Sequence, residues 1–237
     1  MKNLNIEGEI LRFKLFFNLE NERISIQYRK SILSYIKKAL EEYSEEEYKR
    51  FYNERDTIIK PFTWSAFLKN SKFEGDIILV HSKIMVVNFS TSDYSIGIVL
   101  YNAFNYQKNK KFSLSQNFMT LRDIILLPEK EVKNEEIIIK FLAPLVVRSR
   151  KKQKDYYYSY EHKEFLDTLK LNVKIQLQKA DLPENMAQGL RLEPIKAKRV
   201  IVKFYEQKIE TSVGVFRLSG NPNLLDFLYK TGMRKSP

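Results

Sequence analysis

The residues with the clearest chemistry lie in four places along the chain. Gly232-Met233-Arg234-Lys235-Ser236 follows Asn221 to Tyr229, whose Leu224, Leu225, Phe227 and Leu228 mark one face of a short helix. Gly232 stops such a helix, because a residue without Cβ takes a left-handed C-cap most easily. Two cations and a hydroxyl beside a tight turn supply phosphate contacts, which in a basic chain points to the handling of RNA. The second place holds Arg148, Arg150, Lys151, Lys152 and Lys154, with Tyr156-Tyr157-Tyr158 directly after. Cations for phosphates and aromatic rings for stacking are what a single strand requires. A charged loop beside an edge strand carries the same residues, since lysines there discourage edge-to-edge pairing. In the third place Lys60 precedes Pro61, which biases its backbone to an extended form. The fourth is the pair of histidines, His81 in a predicted turn and His162 between Glu161 and Glu164. Histidine is the side chain best matched to proton transfer near neutrality, yet a turn or helix-capping role accounts for both better.

Composition narrows the classes of function. A formal charge of +12 calls for a polyanionic partner, with a lysine-rich solvated surface as the plainer account. The chain has no cysteine, so disulfides and thiolate metal sites are excluded, and two histidines are too few for a histidine-rich metal centre. The run Glu41-Glu42-Glu45-Glu46-Glu47 spreads around helix axes and reads as a solvated face, not a metal site. Neither a metal nor a cofactor is expected. Met1 to Glu9 has no signal-peptide core, and apolar runs such as Ile77 to Val80 are far too short to span a bilayer. The expected setting is a reducing cytoplasm, away from membranes.

The elements that must position these residues follow from periodicity. Ile6 to Leu19 alternates as a strand. Ile24 to Tyr43 repeats apolar residues every three to four positions, leaving Lys37 and Lys38 off that line. Ser44 and Glu47 form a capping box for a short helix through Phe51 and Tyr52. Phe62 to Leu68 is a strand, and Asp76 to Val80 and Ile84 to Phe89 are predicted to pair as a hairpin across His81-Ser82-Lys83. Ser92 or Asp93 caps a helix to about Phe104, and Phe112 to Leu127 closes with one or two strands. The order is β-α-β-β-α-β, the ferredoxin-like order. After a linker over 128–136 it repeats: a strand from Ile137 to Val147, the basic loop Arg148 to Asp155, a helix from Glu161 to Lys179, strands Arg199 to Tyr205 and Ile209 to Leu218 with Gly214 at a bulge or bend, and the helix Asn221 to Lys230. The fold class is therefore α+β, with two tandem ferredoxin-like (RRM-like) domains, 1–127 and 137–237, the second without its last strand. Neither carries the aromatic base-stacking signature of RNA-recognition sheets.

Four segments in this order resemble the repeat-RNA-processing endoribonucleases of CRISPR-Cas systems: Lys60-Pro61-Phe62-Thr63-Trp64-Ser65, Asn88-Phe89-Ser90-Thr91-Ser92-Asp93, Ala143-Pro144-Leu145-Val146-Val147-Arg148, and the terminal Gly-x-Arg-Lys-Ser. The resemblance implies a metal-independent cut in CRISPR repeat RNA by attack of a 2′-hydroxyl on the adjacent phosphate. It places Lys60 at the family's phosphate-stabilising lysine and Lys37 where many members have a tyrosine. Asn53 or Glu54 falls where they have a histidine, so the usual acid/base is missing. The implied catalytic set is Lys37, Asn53 and Lys60. The implied RNA contacts are Arg148, Arg150, Lys151, Lys152, Gly232, Arg234, Lys235 and Ser236. Three readings stay open: a repeat-RNA endonuclease, a repeat-binding module or subunit of a CRISPR effector complex that does not cut, and an unrelated basic ferredoxin-like protein. A homodimer is compatible with each.

Overall fold

The computed structural model describes residues 11–52, 62–91, 93–128, 130–204 and 207–233. The chain divides into two compact units, Met1–Glu129 and Lys130–Pro237.

In the first unit, β1 (Leu11–Leu19) puts Phe13, Leu15 and Phe17 on the core face, as its alternation requires. The predicted residues before Leu11 lie outside the described ones. The helix α1 (Tyr28–Tyr43) buries Ile32, Tyr35, Ile36, Ala39 and Leu40 on one stripe. Its predicted first turn is instead a short strand, β2 (Arg23–Ser25), because the strand Ile77–Val80 captures Ile24 opposite Ile78. The helix α2 (Glu45–Phe51) is capped by Ser44, whose hydroxyl accepts from the Glu47 amide at 3.3 Å. The Ser44 amide is used by Leu40 of the preceding helix, so only the forward half of the capping box forms.

Strands β3 (Phe62–Leu68), β4 (Ser71–Glu74), β5 (Ile77–Val80) and β6 (Ile84–Thr91) follow. The predicted hairpin between the last two does not form. β5 pairs with β2 and β4 in a small sheet, while β6 pairs with β1 and β3 in the main one. Alternation identifies a strand but not its partner, and the turn at His81-Ser82 passes the chain from one sheet to the other. The helix α3 (Tyr94–Tyr106) is capped by Asp93, which accepts from the Ile96 amide at 3.1 Å and the Ser95 hydroxyl at 2.6 Å. Burial raises the affinity of Asp93 for a proton, but these hydrogen bonds outweigh it and leave the carboxyl below its usual range. Strands β7 (Lys111–Leu114) and β8 (Asn117–Leu126) complete a sheet in the order β3-β6-β1-β8-β7. Without β7 at its edge, this is the ferredoxin-like arrangement, with both long helices on one face.

The second unit begins inside the predicted linker. The Val132 amide donates to Asp226 at 2.9 Å, and Glu136 opens β9 (Glu136–Lys140). A hairpin of β10 (Val147–Lys151) and β11 (Lys154–Tyr158) stands where a basic loop is predicted. The helix α4 (Phe165–Gln178), a 3-10 turn (Glu184–Ala187), β12 (Arg191–Phe204), β13 (Gln207–Ser219) and α5 (Pro222–Thr231) follow. The sheet order is β12-β13-β9, the repeat of the first unit without its fourth strand among the described residues. β12 is twice as long as predicted because its ladder continues past Pro194. There the register shifts between Pro194 and Lys196, opposite Phe216 and Val215; one pair further on, Gly214 faces Ala197 with a φ of 127° and a contact with the Lys196 carbonyl that leave no room for a Cβ.

Two buried polar groups test this packing. Asn117 is almost fully buried. Its side-chain amide donates to the Asn21 and Arg23 carbonyls, each at 2.8 Å, and its oxygen accepts from the Asn21 and Phe118 amides. It ties the β7–β8 turn to the β1–β2 turn. Tyr35 is equally buried, but its hydroxyl has no partner among the described residues. Burial, then the nearby Glu42 charge, raises its proton affinity. Thermal or urea unfolding should show that Asn117→Ala loses about 2–3 kcal/mol, since four backbone groups lose a partner. Tyr35→Phe should be neutral or stabilising by up to ~1 kcal/mol, because it removes a desolvated hydroxyl and keeps the ring contacts.

Candidate nucleic-acid interface

The first candidate region lies around the stretch that carries Asn53 and Lys60. Both residues fall outside the described ones, but its flanks are fixed. Phe51 at the end of α2 and Phe62 at the start of β3 are buried with ring centroids 6.1 Å apart. Lys37, on the exposed side of α1, holds its Nζ 4.9 Å from the centroid of the Tyr52 ring, and Tyr52 stacks on Tyr48 at 5.4 Å. An ammonium over an aromatic face is held by the ring quadrupole without being neutralised. Neighbouring cations are used differently. Lys38 and Lys110 pair with Glu42 at 3.4 and 3.2 Å. Hydrogen bonds, first from Gln107 and then from these lysines, hold the Glu42 carboxyl below its usual range despite some desolvation. Lys37 makes no ion pair among the described residues. Tyr52, half-buried, has its proton affinity pushed up to about 12 by burial and then by Tyr48. It therefore keeps its proton at neutral pH and does not serve as a base there. Lys37 and Tyr52 thus come together immediately before Asn53, a juxtaposition of two helices that linear spacing did not show.

The second region is the β10–β11 hairpin. Its turn, Lys152-Gln153, has both residues at positive φ, 47° and 63°, as a two-residue hairpin turn requires. Pairing places Arg148, Arg150, Asp155 and Tyr157 on one face and Ser149, Tyr156, Lys151 and Lys154 on the other. Asp155 lies 3.3 Å from Arg148 and 3.9 Å from Arg150. Arg148 is only 8% exposed. Arg148, expected to contact RNA, is drawn inward in this structure, where its guanidinium braces the hairpin through Asp155. Arg150 keeps an exposed side chain, and Lys151, Lys152 and Lys154 are exposed at the tip. Tyr156 is also exposed, with the Lys154 ammonium 5.8 Å from its ring centre. The charge run alone could not divide these cations; only the strand alternation does.

The third region is the end of α5. Asn221 caps it by accepting from the Asn223 and Leu224 amides, and Gly232 closes it with φ 73° and ψ 158°. The Gly232 amide donates to the Leu228 carbonyl at 2.9 Å, and its carbonyl accepts from the Gln176 side chain at 2.8 Å. Gly232 acts as the cap, with its backbone polar groups turned inward. Arg234, Lys235 and Ser236 lie outside the described residues.

The histidines sit elsewhere. His81 is exposed in a turn, 3.1 Å from Glu22. His162 Nδ1 is 3.0 Å from the Ser159 hydroxyl and accepts from the Ser159 amide at 3.1 Å, with Nε2 facing Glu210 at 3.4 Å. This has the residue types of a hydrolytic triad, but Ser159 is fully buried, so no substrate reaches its hydroxyl and the cluster serves as a clasp. Among the described residues no group of three or more histidines or carboxylates is arranged to hold a metal ion, and no helix is long and apolar enough to cross a membrane.

Comparison with known proteins gives this geometry a context. Residues 127–233 match the family described as CRISPR associated protein Cas6, C-terminal. No curated protein matches the chain. Among solved structures, a Cas6-related protein from Pyrococcus furiosus superposes with a TM-score of 0.78 at 20% identity, covering 95% of this chain and 93% of the other. A protein described as an RAMP protein binding different RNA substrates gives 0.78 at 19% identity, covering 94% and 93%. A Cas6 product complex gives 0.65 at 12% identity, with 95% of each chain covered. At these identities the superpositions establish the shared tandem ferredoxin-like fold, and the match over 127–233 adds the sequence evidence. Residues 127–233 therefore carry the sequence signature of the Cas6 C-terminal family, within a chain whose fold is shared with solved Cas6 structures.

Proposed function

We propose that this chain binds CRISPR repeat RNA and cuts it by internal attack of a 2′-hydroxyl. The observation that carries the reading is Lys37 held un-neutralised over Tyr52, directly before the stretch containing Asn53 and Lys60. In the reaction the 2′-oxygen bonds to the adjacent phosphorus, its proton leaves, and the bond from phosphorus to the 5′-oxygen breaks. The products are a 2′,3′-cyclic phosphate and a 5′-hydroxyl that has gained a proton. Three tasks follow: accepting a proton, stabilising the charged phosphorane and protonating the leaving oxygen. Lys60 and Lys37 stabilise the phosphorane. With Asn53 where relatives of this type place a histidine, no strong base serves the 2′-hydroxyl. The rate rests on in-line positioning and charge stabilisation, and turnover is slow.

A second reading is a repeat-RNA-binding module or effector-complex subunit without cutting activity. Asn53 favours it, as does the likeness to a solved RAMP protein described as binding different RNA substrates. Single-turnover cleavage of labelled repeat RNA separates the two readings. Lys60→Ala should lose about 100-fold or more in rate and Lys37→Met less, with affinity falling only a few-fold, because each acts mainly on charge that develops in the transition state. Unchanged cleavage by Lys60→Ala would exclude the catalytic assignment. Binding titrations across salt test the hairpin. Replacing Lys151, Lys152 and Lys154 together by Ala should reduce the slope of log affinity against log salt by about 2. Arg148→Ala should leave that slope unchanged and lower the unfolding midpoint instead.

A further inference from the structure

We infer that the outward half of α3 is the contact face of a two-fold homodimer. The segment Tyr94–Tyr106 contains no Asp, Glu, Lys or Arg, although such residues make up 30% of the chain. The inward half explains only part of this, since it buries Ile96, Gly97, Leu100, Ala103 and Phe104. At 3.6 residues per turn, Tyr94, Ile98, Asn102 and Asn105 form a row on the opposite side, with Tyr106 beside it. All five are exposed, and Tyr94, Ile98 and Tyr106 are 45%, 41% and 53% accessible. Tyr43 of α1, also exposed, widens the patch, and its hydroxyl accepts from the Asn102 side-chain amide at 3.5 Å. A helix face turned to water normally carries charged side chains. One made of Tyr, Ile and Asn has the composition of an interface core, rich in aromatic rings and depleted of charge.

The charge pattern selects the occupant. The chain carries +12, so two copies repel wherever their basic surfaces meet, and they approach most easily through a face without charge. RNA or an acidic protein is drawn to cations, which this face does not offer. The two ends of the helix differ in sign. Asp93 caps its start, and Arg50 nearby is paired with Glu47 at 3.5 Å, so that end stays negative. Beyond the other end, the Lys110 ammonium lies 3.6 Å from the Tyr106 ring centre. There Lys38, Lys108 and Lys110 share two carboxylates, Glu42 and Asp123, so that end stays positive. A two-fold axis through the middle of α3 sets the two copies of the helix antiparallel. The Asp93 end of each copy then lies toward the Lys108 and Lys110 end of the other. Tyr94 comes opposite Tyr106 of the second copy, and Ile98 opposite its Asn102. Tyrosine hydroxyls and asparagine amides both donate and accept, so the row satisfies its own image. A contact one helix long lies near the lower limit of stable interfaces, ~1,200 Å² in total, so the dimer forms reversibly.

The test is analytical ultracentrifugation of the full chain, freed of nucleic acid, from about 1 to about 100 µM protein. Reversible association to a dimer is expected. It should hold or tighten as salt rises, because salt screens the repulsion between the copies and leaves an uncharged contact intact. Ile98→Glu and Asn102→Lys each place an unmatched charge at the centre of the contact and should raise the dissociation constant about tenfold or more. The double variant should recover most of that loss, because the new carboxylate and the new ammonium face each other across the two-fold axis. Both positions are exposed, so circular dichroism and the unfolding midpoint should match the wild type in all three variants. A chain that stays monomeric up to about 100 µM overturns the inference. So does a dimer that dissolves as salt rises, which is bridged through the basic surfaces, or one whose affinity ignores both single substitutions. A double variant as weak as its parents overturns the antiparallel two-fold arrangement.

Discussion

The candidate catalytic region depends on one run of aromatic contacts. Phe89, in β6 between β3 and β1, stacks on Phe13 of β1 at 5.0 Å and on Phe62 of β3 at 4.9 Å, and Phe62 meets Phe51 at 6.1 Å. Such pairs each contribute about 0.5–1.5 kcal/mol beyond the area they bury. More importantly, they fix geometry. The last residue of α2, Phe51, rests on the first residue of β3, Phe62, so the stretch bearing Asn53 and Lys60 starts and ends at defined points. Lys37 and Tyr52 are carried to the same place by the packing of α1 against α2. Among the described residues Lys37 makes no ion pair, since Glu42 is engaged by its neighbours Lys38 and Lys110.

The second unit uses polar rather than aromatic anchors around its candidate contacts. Asp155 divides the basic hairpin into a buried brace at Arg148 and an exposed tip at Lys151, Lys152 and Lys154. Gln176 turns the Gly232 carbonyl inward. At the hairpin, one carboxylate decides which cations reach solvent. Net charge thus overstates the number of phosphate contacts available, because part of it is committed to internal pairs.

The fold was legible where burial imposes a period. The apolar line from Ile32 through Ile36 and Leu40 specified α1, and the alternation of Phe13, Leu15 and Phe17 specified β1, so the β-α-β-β-α-β order could be read directly. Partner choice was not legible. Ile84 to Phe89 reads as a strand in any pairing, and nothing local announces that β4 and β5 form a separate sheet with Arg23 to Ser25. The Arg148 to Asp155 stretch concealed its alternation beneath uniform charge, and its Lys-Gln turn lacks the usual Asn-Gly signal. Pro194 hid the first half of β12, which survives because the ladder shifts register there. At the candidate sites, residue type and family resemblance selected Lys37, Lys60 and the basic stretches. The roles of Tyr52, Asp155 and Gln176 depend on which groups they meet across the fold, and no spacing along the chain encodes that.

The most direct test of the central claim is incubation of the purified chain with labelled CRISPR repeat RNA in EDTA, beside the same RNA carrying a single 2′-deoxy sugar at the cut position. The account predicts one slow, discrete cut that survives EDTA, leaves a cyclic phosphate and disappears with the deoxy substitution. Tight binding with no cut in either RNA would contradict it and assign the chain to the binding reading. A cut that persists in the deoxy RNA would contradict the proposed 2′-hydroxyl chemistry.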